Sequence, residues 1–179
     1  SPDGKQLASY NLVKSTYAQV GYGVVIPREK NSRNSGLTVN DGISLTEVAT
    51  GKSEQIVSIK QIYDQASPSI KIQDPENYEY YCFQVKWNLQ GTRLLATIQC
   101  TPKEGGDRQR AIVTMLPDGS AIKTAITPEQ WAKGGHHINL DTDGEYLSIN
   151  INVDGKTGVE IITVNYEGTT KKPIYATAS

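Results

Sequence analysis

Asn88-Leu89-Gln90-Gly91-Thr92-Arg93-Leu94 and Asp141-Thr142-Asp143-Gly144-Glu145-Tyr146-Leu147 are the stretches whose reading decides the fold. In each, a polar turn-forming run ends in glycine, and a leucine follows three residues later. The same spacing opens the chain as Ser1-Pro2-Asp3-Gly4-Lys5-Gln6-Leu7. Glycine reaches positive φ without a Cβ clash, and Asp or Asn bonds back to its own backbone, so each run reads as a hairpin turn feeding an aliphatic strand. A second glycine mark follows in every unit: Ala49-Thr50-Gly51, Pro117-Asp118-Gly119 and Tyr166-Glu167-Gly168. The pairs Leu45-Thr46, Val113-Thr114 and Ile162-Thr163 stand six and five residues before these glycines. Two marks keeping register in three copies define an internal repeat.

The repeat predicts an all-β chain, a β-propeller fragment of about three four-stranded antiparallel blades. Strands A to D are short β-branched or aliphatic runs bounded by turn residues. In the second unit they are expected at Tyr81–Trp87, Leu94–Cys100, Ala111–Leu116 and Ala121–Ile126. In the third they fall at His136–Leu140, Tyr146–Asn152, Val159–Asn165 and Lys172–Ala176. The first unit offers Leu7–Leu12, Ile43–Val48 and Gln55–Ile59 as B, C and D, and lacks its inner strand. Residues 1–179 thus read as a single partial propeller, with blade one at 1–80, blade two at 81–135 and blade three at 136–179. Closed propellers use about four to eight blades. The remaining blades are expected from a longer chain, favoured by a start inside the Ser1-Pro2-Asp3-Gly4 turn, or from a homo-oligomer that closes the ring. The Ser-Pro-Asp-Gly turn followed by a short aliphatic strand resembles the TolB-like propellers over nearly the whole chain. That resemblance implies the fold and leaves the activity open.

Composition sets broad limits. Eighteen Lys and Arg against nineteen Asp and Glu give a net charge of −1, which argues against nucleic acid as a partner. No run approaches the roughly 18 consecutive apolar residues of a membrane span. No phosphate-binding glycine loop, zinc-protease helix or nucleophile elbow is present. Gly105-Gly106-Asp107 and Asp154-Gly155-Lys156 read as short B–C turns. Cys82 and Cys100 are the only cysteines. A hairpin centred near Gln90–Gly91 brings them almost opposite, as a disulfide or as two buried thiols.

Length is spent on one side of the meander, where the B–C and D–A connections emerge. The first unit carries a long connection from Val13 to about Gly42 and another from about Lys60 to Tyr80. Long ordered loops more often carry function than tight turns do, so this face is the candidate working surface. Arg28 and Arg33 lie in the first long loop, where a guanidinium fork suits the carboxylate or sulfate of a sugar. The second connection carries a helix near Ser58–Ala66 and then Tyr78, Tyr80 and Tyr81, which pack between blades or face a sugar ring. Thr127-Pro128-Glu129-Gln130 reads as a capping box for one helical turn.

His136 and His137 are the chain's only histidines and begin an inner strand on that face. The spacing of 53 residues between Gly91 and Gly144 sets Phe83 and Gln84 at their positions in the preceding blade. Neighbouring side chains on a strand point to opposite sides, so both imidazoles meet one ligand only if the backbone bends. Gly134-Gly135 stand ready to supply that bend. Metal or substrate contact is one reading of the pair, and bonding to nearby backbone groups is the other. The constellation of His136, His137 and Gln84 is similar to the oligogalacturonate lyases, propellers that hold manganese with several histidines and a glutamine. The resemblance implies a divalent metal, an acidic oligosaccharide as substrate, and a base and charge neutraliser supplied by Arg28 or Arg33. The expected function is therefore part of a periplasmic or extracellular carbohydrate-active propeller, a metal-dependent uronate lyase. The alternative is a non-catalytic propeller module that binds a protein or glycan on its long-loop face.

Overall fold

A computed structural model describes residues 1–70, 72, 74–152 and 160–174. The chain is mostly β and forms three antiparallel sheets of three, four and four strands. The first sheet holds β1 (Gln6–Tyr10), β2 (Gly42–Glu47) and β3 (Ser53–Ser58). The middle sheet holds β4 (Tyr78–Trp87), β5 (Leu94–Pro102), β6 (Gln109–Met115) and β7 (Lys123–Ile126). The third holds β8 (His136–Leu140), β9 (Tyr146–Ile151), β10 (Glu160–Asn165) and β11 (Lys171–Pro173). Each sheet is a meander in chain order. The expected strands at Val159 and at residues 175–176, and the turn at 154–156, lie outside the described residues.

The two turn marks seat these hairpins. Gly4, Gly91 and Gly144 all have positive φ and precede the second strand of their units, as do Gly51, Gly119 and Gly168 between the third and fourth. Helix α2 (Ile59–Gln65) starts where the sequence places it. Ser58 Oγ accepts from the Gln61 N–H at 3.1 Å, and Gln61 Oε1 accepts from the Ser58 N–H at 2.8 Å. The same reciprocal box, Thr127 with Gln130, opens the single turn α3 (Pro128–Trp131). Each box satisfies two backbone donors that a helix start otherwise leaves unpaired.

Burial is concentrated between the sheets. Ile43 and Val57 of the first sheet and Ile59 and Ile62 of α2 pack on one face of the middle sheet, against Tyr80, Leu94, Ile98 and Val113. Leu95, Ile112 and Ile126 on its other face meet Ile138, Leu147, Ile149 and Ile162 of the third sheet. The middle sheet is therefore covered on both faces, which explains why seven successive residues of β5, Leu94–Cys100, are buried. A run covered on both faces loses the polar–apolar alternation of a half-exposed strand.

Two details of register depart from the sequence reading. In the C–D hairpin of the first sheet the Gly51 N–H bonds back four residues to Glu47 O. Gly119 and Gly168 bond back three, to Leu116 and Asn165. That extra turn residue shifts Leu45-Thr46 by one position, and a one-residue shift reverses the face of every side chain. Leu45 packs toward the middle sheet, and Ser44, opposite Ser9, takes the place that Val113 and Ile162 hold in the other sheets. The β4–β5 ladder sets Cys82 opposite Ile98 and Cys100 opposite Tyr80, so the cysteines are diagonal neighbours. Both are free, buried thiols, and burial pushes both pKa values up.

Candidate functional site

The long connection between β1 and β2 folds over one end of the middle sheet and is pinned there by β5 and β6. It carries the short helix α1 (Ser15–Ala18), whose last carbonyl, Ala18 O, accepts from Gln99 Nε2 and from Arg108 Nη1 at 3.5 Å. Gln99 is fully buried and its other amide atom, Oε1, accepts from Arg110 Nε at 2.9 Å. Arg110 Nη2 donates onward to Gln19 Oε1 at 3.1 Å. Below the strap, Ala18 packs with Tyr81 and Phe83 of β4. The strap lies over the sheet between two cavities.

The first cavity, about 640 Å³, brings together Arg28, Arg33 and Arg108 above the aliphatic side chains of Val20, Val24 and Ile26. Arg33 Nε donates to Glu79 Oε1 at 2.6 Å, and its guanidinium lies 4.7 Å from the Tyr17 ring centroid. The bond to Glu79 raises the Arg33 pKa further above its ordinary value. Glu79 is buried, and Tyr81 Oη donates to its second oxygen at 2.9 Å. The two expected ligand-binding arginines thus meet in one cavity. Arg108, on the strand approach Arg108-Gln109-Arg110, completes the set and went unread in the sequence, where alternating basic residues were the available signal.

The second cavity, about 420 Å³, lies between the first strands of the middle and third sheets. Gln84, His136 and His137 line it, together with Tyr22, Phe83, Trp131, Lys86, Arg110, Gln19 and Asn139. Both strands are bulged there: the β4–β5 ladder slips between Phe83 and Lys86, and the β8–β9 ladder between His136 and Asn139. Gln84 has φ 56° and His137 φ 53°, left-handed values at matching positions of the repeat. The bend that the sequence reading assigns to Gly134-Gly135 sits at His137 itself. It brings the two imidazoles edge to face at 4.9 Å. Gly135 instead fits beneath Trp131, where a Cβ would stand 3.0 Å from the indole.

Charge is segregated. Among the described residues neither cavity is lined by Asp or Glu, while five Lys or Arg side chains line the two. At the short-turn end, by contrast, the depression between the first sheet and Pro117 gathers Asp3, Glu47, Glu54 and Asp118 with only Lys5 and Lys52. Burial lowers the pKa of Lys86 and of Arg110, the latter also repelled by Arg108. Each cation therefore gains by pairing with an anion.

The donor set is poor for manganese. That ion favours carboxylate, carbonyl and water ligands, whereas this wall holds no carboxylate and sets its two imidazoles and three carboxamides beside the cations Lys86 and Arg110. Among the described residues no three His, Cys, Asp or Glu side chains gather to hold a metal ion. By itself the cluster does not fit the ion that the lyase resemblance implies. No helix among the described residues is long and apolar enough to cross a membrane.

No protein-family model matches the chain, and no curated protein matches it.

Proposed function

We propose that the chain is part of a TolB-like β-propeller whose long-loop face binds an acidic glycan as a non-catalytic module. The observation that carries this reading is the pair of cavities lined by Arg28, Arg33, Arg108, Arg110 and Lys86, cations of which only Arg33, with buried Glu79, makes an ion pair among the described residues. Guanidinium forks match carboxylate and sulfate oxygens two at a time. Tyr22, Phe83 and Trp131 offer flat apolar faces, and Gln19, Gln84 and Asn139 offer amides for hydroxyl groups.

The propeller part of the reading rests on the repeat and on two exposed aliphatic residues. Leu7 is 60 % exposed on the free face of the first sheet, and Ile161 is 42 % exposed on the free face of the third. Their counterparts in the interior, Leu94 and Ile112, are fully buried between sheets. Leu7 and Ile161 mark where further blades, from a longer chain or a second copy, would dock. A periplasmic or extracellular location goes with a glycan ligand.

Calorimetric titration with trigalacturonate and with neutral maltotriose tests this function. The acidic sugar is expected to bind, to weaken as salt rises, and to lose at least tenfold in affinity in Arg28→Ala, whose side chain makes no ion pair among the described residues. Equal binding of the two sugars, or none of either, would overturn it. A metal-dependent uronate lyase is the second reading: His136, His137 and Gln84 meet in one cavity, and this reading requires further metal ligands from other blades. Its mark is cleavage of trigalacturonate that stops on chelation and in His137→Ala.

A further inference from the structure

Among the described residues, four non-glycine residues have positive φ: Asp74, Gln84, Ala121 and His137. Asp74 precedes a 3₁₀ turn and Ala121 lies in a connection, where left-handed residues are ordinary. Gln84 and His137 are different, since both sit inside strands. A side chain with a Cβ is strained in that region of φ, and glycine is the residue that adopts it freely. The sequence has 16 glycines and spends them freely at its turns, yet neither strand position received one. The two residues stand 53 positions apart, the spacing of the repeat, so the same bulge is built twice.

The bulges are also joined. Lys86, at the end of the first, donates from Nζ to Ile138 O in the second at 2.7 Å. Tyr10 of the first sheet packs edge to face on Phe83, at the edge of the first bulge, with ring centroids 5.9 Å apart. Each bulge is thus braced by the other, and strained backbone persists where its surroundings hold it in place. The outcome is that Gln84 and His137, from different sheets, line one cavity beside Lys86 and Arg110.

We propose that the two bulges are kept for binding: they hold the Gln84 amide and the His137 imidazole toward one hydroxylated ring that carries an acidic group. The amide and the imidazole meet ring hydroxyls, Lys86 and Arg110 meet the acid, and Tyr22 with Phe83, edge to face at 5.1 Å, gives the ring an apolar face to lie on. This assignment rests on the acidic-glycan reading and names the side chains that select within it.

The test separates backbone from side chain. Gln84→Gly and His137→Gly keep the left-handed backbone without strain and delete the side chain. Ala121→Gly does the same away from the cavity. Thermal unfolding and calorimetric titration with trigalacturonate are measured on all three and on the parent chain. The expected result is that both bulge variants unfold at or above the parent temperature and bind at least tenfold more weakly, while Ala121→Gly binds as the parent does. Parent-like binding by both bulge variants would overturn this inference and leave the glycan reading standing. A large fall in their unfolding temperature would overturn it too, because the side chains would then be structural. No binding by the parent chain would overturn both.

Discussion

The middle sheet and its two neighbours are built on one repeat, yet equivalent residues meet opposite fates. Ile43, Ile112 and Ile161 pair with Tyr10, Thr97 and Asn150 at the same step of each ladder. The first two are fully buried against the following sheet, and the third is 42 % exposed. Leu7, Leu94 and Leu147 point the other way, and here the first is exposed and the others are buried. The free faces keep these single aliphatic residues, but Ser9, Ser44 and Thr46 on the first sheet and Ser148 and Thr163 on the third stand where the middle sheet has Ala96, Val113, Met115, Leu95 and Thr114. A strand's position in the stack therefore decides how much a residue contributes, and its place in the repeat decides only its direction.

The largest contrast is expected at the isoleucines. Ile112→Ala removes a side chain enclosed by Leu95, Ile126, Leu147 and Ile149 and should cost about 2–5 kcal/mol, the range for deleting a buried aliphatic chain. Ile161→Ala, at the matching place, should cost about 0.5 kcal/mol. Urea unfolding of both variants gives the comparison. Equal losses would mean that the free face of the third sheet is covered in solution, by another copy of the chain.

The turn glycines give the next contrast. A Cβ on Gly119 would lie 2.5 Å from Ile56 O of the first sheet, and one on Gly168 would lie 2.7 Å from Thr124 O and Ala125 O of the middle sheet. Nothing lies within 4 Å of such an atom on Gly51. All three have positive φ, so alanine meets about 1–2 kcal/mol of backbone strain at each. At Gly119 overpacking adds about 1–3 kcal/mol, because the clash is with backbone that cannot swing aside. Gly119→Ala should thus unfold at clearly lower urea than Gly51→Ala. If the two coincide, the sheets do not approach as closely as these contacts require.

These pairs also show why some of the fold was legible and some was not. The turn glycines and capping boxes are local, and local chemistry announced the strands of the middle and third sheets, with β8 at its expected bounds His136–Leu140. The register of Leu45-Thr46 was hidden because counting back from Gly51 assumes a turn of constant length. The left-handed residues were hidden for a similar reason. Phe83, Gln84, Val85 and Lys86 alternate like any half-buried strand, and nothing in them marks a bulge. At the site, Arg28 and Arg33 were readable from loop length and charge, whereas Arg108 and Arg110 join them only because the strap from the first sheet crosses to the middle one. Non-local packing makes that contact.

The smallest contrast lies at the threonines that follow the aliphatic mark. Thr114 is fully buried, and its Oγ1 donates to Tyr166 O in the turn of the third sheet at 3.0 Å. Thr163, on the free face of the third sheet, makes among the described residues only a long bond of 3.4 Å to Lys172 O across its own ladder. Valine keeps the shape and strand preference of threonine at both places and removes the hydroxyl. At Thr114 it leaves a carbonyl in the interface without its donor, which should cost about 1–2 kcal/mol. At Thr163 water replaces the hydroxyl, and the change should stay within about 0.5 kcal/mol. The two variants share a repeat position, a residue type and a substitution, so the difference in their urea midpoints isolates one hydrogen bond between sheets. A Thr114→Val midpoint equal to that of Thr163→Val would mean that this bond contributes nothing and that apolar packing alone joins the middle sheet to the third.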